Sequence, residues 1–551
     1  MKNILIIGSG IAGLTAAIKV CEGGGNVVLA SPAHSERSQS VMAMGGINAS
    51  LNTKGENDST QDHFNDTING GKGINNEKAV KKLTSNAPNV VKWLGDIGVS
   101  FTRDEKGNID LRNFGGQKHK RTAYASARTG KQIVSSLTAL CRKKEAEGSL
   151  KYIKPWRFLS LIINNDECIG AILFNENTNE IKVFEADSVI VATGGMNKLF
   201  GKTSGSTHND GYVTAKLLEQ GVELANLEMV QYHPTTIETP IKRLLITEAA
   251  RGEGGRLYVI KDGKPWYFME EWYPEFGALM PRDVVSQSIY KVCNDLDLGI
   301  DGKNQVYLDI SHLPDEFIIS KLDDVYRTCM RYLNLNPCNE PIPVYPEIHY
   351  FMGGIKTDEN HKTNIKGLFA AGECSCQYHG ANRLGGNSLL GAVNGGWIAA
   401  EYALNHENNN QFDDNLINNA LKEEKEKFDI WSKKDISSNS VPLFKIEENL
   451  ASIMNNSLSI YRNEKDLNKA YDGLCNMEKI AINADSRNDY YSYIRLPSLI
   501  LLAKAMVLAA LNRKESRGSH QRVEYPDLDD ENFKKTTSLI FKDGNIEVSF
   551  K

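Results

Sequence analysis

Cysteine is scarce and scattered. The nine residues of the 551-residue chain fall at positions 21, 141, 168, 293, 329, 338, 374, 376 and 475. An odd, dispersed set builds no disulfide framework. Cys374 and Cys376 are a CxC pair with no second pair nearby, whereas a closed thiolate site needs about four ligands. They read as buried free thiols, and no metal is expected. The chain has no iron–sulfur cysteine pattern and no haem motif. An excess of one charge is missing too. Lys and Arg total 64 against 69 Asp and Glu, a net charge of -5, which offers no nucleic-acid-binding surface. Long apolar runs are absent. Leu499 to Leu511, interrupted by Lys504, falls short of the ~20 residues that cross a bilayer. With 41% hydrophobic and 24% charged residues the chain reads as an ordinary soluble protein. At ~150 residues per domain it holds three or four folding units. Ile4 to Ile7 run straight into Gly8, which leaves no room for a targeting segment and makes the cytoplasm the expected location.

What is present in slight excess is glycine, 46 residues gathered into short clusters. Ile4–Ile7 reads as a strand buried on both faces. Gly8-Ser9-Gly10-Ile11-Ala12-Gly13 follows, then a helical pattern from Leu14 to Val20, then a second strand over Val27–Ala30. Ser188–Ala192 leads into Thr193-Gly194-Gly195, and Gly367–Ala371 into Gly372-Glu373. Apolar strands ending in Gly-rich turns suggest one nucleotide-binding sheet assembled from distant segments. A GxGxxG between two such strands permits a tight turn, backbone approach to a pyrophosphate and close helix–strand packing, with the helix N-terminus facing the phosphates. NAD sites place an acid ~20 residues after the motif. Ala30-Ser31-Pro32 stands there instead, so another dinucleotide is expected. Residues 230–351 differ in texture, rich in Trp, Tyr, Pro and charge, and read as an inserted domain. Beyond Asn408-Asn409-Asn410, read as a linker, the chain becomes helical.

Gly8–Gly13, Arg37–Ile47, Phe114-Gly-Gly-Gln117, His233-Pro-Thr235, Thr247–Gly255, Pro281-Arg-Asp283, His349–Gly354, His379–Leu389 and Arg513–Arg522 occur in one order. In this they resemble the succinate dehydrogenase/fumarate reductase flavoprotein family from residue 3 to about 535. The resemblance implies an α/β fold: an FAD-binding Rossmann-like domain (1–229 and 352–407), an inserted α+β capping domain (230–351), a helical domain (411–522) and a C-terminal segment (523–551). It implies FAD as cofactor and a dicarboxylate, fumarate or succinate, held between cap and flavin. Gly8, Ser9, Gly10, Ile11, Ala12 and Gly13 match the pyrophosphate turn, and Ser31 the adenosine ribose site. Ser38, Gln39, Ser40, Gly45 and Gly46 fall along the flavin, and Thr193 and Gly194 are further cofactor-binding positions. Asp210, Glu373, Asn387, Ser388 and Leu389 match further cofactor positions.

Reducing fumarate adds a hydride and a proton across a C=C bond between two carboxylates. Cationic and hydrogen-bonding groups are needed at both ends, with an acid opposite the flavin. Arg383 can clamp a carboxylate bidentately. His233, Thr247 and His349 supply compact donors, and the prolines and glycines near them suggest loop positions. Arg282 matches the family's proton donor, reprotonated through Glu248 and Arg251. A guanidinium does not ordinarily act as an acid, so a second clamp is the competing reading.

Two departures stand out. Respiratory members attach FAD covalently through a His in an Arg-Ser-His-Thr stretch. Here Arg37-Ser38-Gln39-Ser40 puts an amide at that position, so the flavin should be non-covalent. Met44 replaces the usual Gln or Glu before Gly45. Non-covalent FAD also fits L-aspartate oxidase, a relative with similar motifs. Phe114–Gln117, Arg121–Gly130 and Gly385-Gly386 resemble the reductase branch, so fumarate reductase is the first reading, with succinate oxidation and aspartate oxidation as alternatives. A flavin-binding electron carrier without its own substrate is disfavoured by the full set of charged site residues. The resemblance implies an iron–sulfur subunit or another electron-donor protein as partner, with membrane contact only through such partners at the inner face.

Overall fold

Ile4, Leu5, Ile6 and Ile7 are all buried because β1 (Asn3–Ile7) is the central strand of a parallel sheet with helices on both faces. The computed structural model describes residues 1–240, 243–407, 413–433, 441–482 and 490–551. The linker read at Asn408–Asn410 lies outside them. The helix α1 (Ile11–Glu22) joins β1 to β2 (Asn26–Ala30). The sheet order is Leu368–Ala370, Ser188–Val191, β1, β2, Leu150–Ile153, each pair parallel. The first four strands are those read from the sequence, and the fifth, an edge strand with only Leu150 fully buried, has no continuous apolar run to reveal it. Leu5 and Ile7 enter one core with the helix Tyr490–Asn512, while Ile4 and Ile6 enter another with α1 and the helix Asn387–Leu404. The alternation follows from the two-residue period of a strand.

The glycine turn after β1 is conformationally required. Gly8 has φ +107°, and a Cβ there would lie 2.3 Å from the Ala192 carbonyl oxygen. A Cβ on Gly13 would lie 1.9 Å from the Gly8 oxygen, so these two glycines let α1 sit directly on the strand end.

Residues 230–351 carry an antiparallel sheet in the order Arg243–Leu245, Val230–Glu238, Ile342–Phe351, Val306–Asp309, Arg256–Lys261, Lys264–Trp266. Its own core includes Ile237, Leu257, Val285 and Val344. Register irregularities between Gln231 and Tyr232 and between His233 and Thr236 interrupt the pairing of Val230–Glu238 with Ile342–Phe351. Such bulges re-aim side chains.

Helices Asp414–Ser432, Leu443–Ser457, Glu464–Ile482 and Tyr490–Asn512 follow. The last is longer than the apolar run seen in the sequence. Its 23 residues are enough by length and composition to cross a bilayer, but 72% of its most apolar window is buried inside the protein, and it serves as a core helix. The chain returns through the hairpin Thr537–Lys542 and Asn545–Phe550, which pairs with Leu224–Ala225. The Arg513–Arg522 stretch is turned inward. Arg513 bonds Glu228 and Glu515 at 2.7 Å each, and Arg517 bonds Glu515 at 2.7 Å, all essentially buried.

Candidate active site

One cavity of about 490 Å³ runs from the glycine turn to the antiparallel sheet. It is lined by Gly8, Ser9, Gly10, Ile11, Ala12, Ser31, Ser38, Gln39, Ser40, Gly45, Gly46, Thr193, Gly194, Asp210, Glu373, Ser388 and Leu389, as the sequence suggests for a cofactor. His233, Thr247, Glu248, Arg282, His349 and Arg383 line it as well. Three expected residues do not. Gly13 packs beneath Gly8. Arg251 stands behind Glu248, with its Nη2 3.5 Å from Glu248 Oε1. Asn387 is fully buried, its Oδ1 accepting from Asn48 (2.8 Å) and bonded to His63 Nε2 (2.9 Å). It braces the start of the helix Asn387–Leu404 rather than facing a ligand.

His233 and His349 sit on adjacent strands, not on loops as the prolines and glycines suggested, and their rings are 5.2 Å apart. The strand bulges allow both to face the cavity. His233 Nδ1 accepts from the Thr235 N–H at 3.3 Å, leaving Nε2 buried without a protein partner. His349 Nδ1 is bonded to Ser204 Oγ at 2.9 Å. Burial, and then the Arg282 charge, hold both imidazoles well below the usual range, so both are neutral at pH 7.

Arg282 opens the helix Arg282–Tyr290. Its Nε and Nη2 lie 2.8 and 2.5 Å from Glu248 Oε2, and its Nη1 donates to Gln231 Oε1 at 3.1 Å. Arg383 Nη2 donates to that same oxygen at 2.9 Å. The Gln231 amide nitrogen donates to Asn382 Oδ1 (2.7 Å) and the Arg383 carbonyl (2.8 Å), which fixes its orientation. Gln231 escaped the sequence reading, although it lies two residues before His233 on one strand. Tyr350, stacked 4.3 Å beneath the Arg383 guanidinium and bonded to His379, escaped it too. Burial pushes Arg383 down to about 9, with the Arg282 charge adding to the effect. Arg251 is pushed down to about 10, chiefly by burial. For Glu248 burial acts upward, but Arg282 and Arg251 outweigh it and keep the carboxylate below its usual range.

The arrangement brings the Arg282 and Arg383 guanidiniums to one cavity, with Glu248 anchoring Arg282 and Arg251 paired to Glu248 behind it. The residues also fit a flavin dinucleotide. The N-terminus of α1 faces the cavity through Gly10, Ile11 and Ala12, as a pyrophosphate requires. Ser38 Oγ and Gln39 Oε1 line the cavity as buried polar atoms with no protein partner.

The profile of a family described as "FAD binding domain" matches residues 3–389, and that of "Fumarate reductase flavoprotein C-term" matches 447–551. The chain belongs to the succinate dehydrogenase/fumarate reductase flavoprotein family. It is 39% identical over 549 residues to the succinate dehydrogenase flavoprotein subunit of Bacillus subtilis, covering 97% of this chain and 93% of that one. It is 32% identical to the fumarate reductase flavoprotein subunit of Haemophilus influenzae, covering 98% and 92%. Its fold overlays a solved quinol–fumarate reductase chain with menaquinol at TM-score 0.91 and 29% identity, covering 100% of this chain and 97% of that one. The protein is thus an FAD-dependent oxidoreductase with the expected α/β fold.

Proposed function

We propose that this flavoprotein reduces fumarate to succinate with non-covalent FAD, as the catalytic subunit of a complex whose partner delivers electrons. The observation that carries the reading is the single oxygen of Gln231 bonded to both Arg282 and Arg383, two guanidiniums that line the same cavity as the glycine turn. When bound, reduced FAD would supply the hydride. Arg383, with His233, Thr247 and His349, binds and orients the two carboxylates. Arg282 gives the second carbon its proton and regains one through Glu248 and Arg251. Burial lowers the proton affinity of the Arg251 and Arg383 guanidiniums around it. Residues 230–351 would act as the cap that closes over substrate, 1–229 with 352–407 as the FAD domain, and 411–522 as the helical domain. An iron–sulfur subunit or another donor protein would feed the flavin, with the chain in the cytoplasm and in contact with a membrane only through partners.

Gln39 favours the reductive direction. Covalent attachment raises flavin potential in the family, and an amide cannot make that bond. The name of the Bacillus subtilis relative makes succinate oxidation the second reading. Steady-state rates with fumarate and reduced viologen, succinate and a matched dye, and aspartate and oxygen decide. Fumarate reduction should be fastest. Faster succinate oxidation reverses the direction, and aspartate oxidation replaces the reaction.

A further inference from the structure

One residue lining the cavity comes from the helical part of the chain. Tyr491 lies near the start of the helix Tyr490–Asn512, is 5% exposed, and lines the cavity together with Ser31 and Arg157. Ser31 marks this as the adenosine end, because it follows β2, where dinucleotide folds hold the ribose. The Trp156 N–H donates to the Ser31 carbonyl at 3.1 Å and brings Arg157 alongside. The Tyr491 hydroxyl donates to Asp210 Oδ2 at 2.9 Å, and its ring lies 4.2 Å from the Arg157 guanidinium and edge-on to Tyr212 at 5.2 Å. One turn along the helix, Arg495 Nη1 lies 3.6 Å from the same Asp210 oxygen, while its Nη2 bonds Glu447 at 2.5 Å. The Tyr212 N–H holds the other Asp210 oxygen at 3.0 Å. Asp210 is therefore fixed on both oxygens, and the helix provides two of the groups that fix it.

We propose that Tyr491 is a cofactor-retaining residue: its ring is the wall against which the adenosine half of FAD rests, and its hydroxyl, with Arg495, holds Asp210 in place beneath it. The helical part of the chain thereby locks in a dinucleotide that no covalent bond tethers. This inference rests on the non-covalent FAD reading.

The test is equilibrium titration of the full-length apoprotein with FAD and with FMN, read by flavin fluorescence. FMN has the same ring system and no adenosine. Tyr491→Ala should weaken FAD at least tenfold and leave FMN within twofold. Tyr491→Leu fills the core without the planar ring and carries the same expectation if the alanine variant fails to fold. Unchanged FAD affinity, or an equal loss for both flavins, overturns the proposal. Retention of flavin on the acid-precipitated wild-type pellet would refute only the non-covalent reading. Apoprotein from riboflavin-starved cells then still reports Tyr491 through the FAD-to-FMN ratio of initial binding.

Discussion

Arg282 meets Glu248 side-on, with Nε at 2.8 Å and Nη2 at 2.5 Å from one carboxylate oxygen. That geometry leaves Nη1 to Gln231 and holds the guanidinium plane fixed at the cavity wall. Two guanidinium donors converging on one carboxylate oxygen fix orientation as well as charge. Arg282→Ala should abolish turnover at saturating fumarate while dithionite still reduces the flavin. Arg282→Lys should keep a trace, since it retains charge without the fork. Recovery of the alanine variant's rate at high fumarate would make Arg282 a clamp rather than an acid.

Arg383 faces the same cavity with its Nε unpartnered. Arg383→Ala removes a charge-assisted contact of ~1.5–3 kcal/mol. Fumarate affinity should fall at least tenfold, since ~1.4 kcal/mol is a factor of ten, and FAD should stay bound. Titration of the flavin spectrum checks both, and unchanged affinity removes Arg383 from the substrate site.

Gln231→Leu deprives two buried guanidiniums of a shared acceptor. Both should drift, lowering kcat and raising KM together by at least threefold each. Kinetic constants within twofold of wild type would show that the arginines hold their spacing without the amide.

Flavin attachment is checked by acid precipitation. With Gln39 at the attachment position, the yellow colour should pass into the supernatant. Gln39→His restores the chemistry that alkylation needs, and denaturing gels viewed for flavin fluorescence show whether a bond forms.

Acid should destabilise the protein from about pH 6.5 downward. His361 is buried between the Ala370 carbonyl and the Tyr378 hydroxyl, each 2.6 Å away, and burial lowers it to about 4. His63 is likewise lowered to about 3. A folded value below the unfolded ~6.5 means the unfolded chain takes up protons first, so stability is complete above that pH and lost as pH falls. Each such group contributes a slope of ~1.4 kcal/mol per pH unit between the two values. Urea midpoints at pH 7, 6 and 5 should fall progressively, and His361→Gln should reduce the slope by about one proton. A flat profile from 7 to 5 contradicts the neutral burial of these rings.

The parallel sheet was legible because strands buried on both faces read as unbroken apolar runs ending in glycine. The edge strand Leu150–Ile153 was not, since only Leu150 is buried and Lys151 is exposed, which leaves no unbroken apolar run. His233, Thr247, Arg282, His349 and Arg383 could be named because their types match the chemistry of a dicarboxylate. Gln231 and Tyr491 could not, because their importance comes from contacts across 152 and 281 residues that no local pattern encodes. Asn387 illustrates the converse. It stands in the right segment, yet its side chain is claimed by Asn48 and His63.

The order of strands in the cofactor sheet carries a consequence for synthesis. During translation β1 can pair early only with β2, and its other edge waits until Ser188–Val191 has been made. At ~5–20 residues per second that interval lasts roughly 10–40 s, with Ile4–Ile7 lacking a neighbour on one side. The cavity wall is finished later still, when Ser388 and Leu389 emerge, and Tyr491 about a hundred residues after that. Flavin therefore finds a finished site only after Tyr491 has emerged, and a cell short of holdase chaperones should lose this protein to aggregation before the cofactor can reach it.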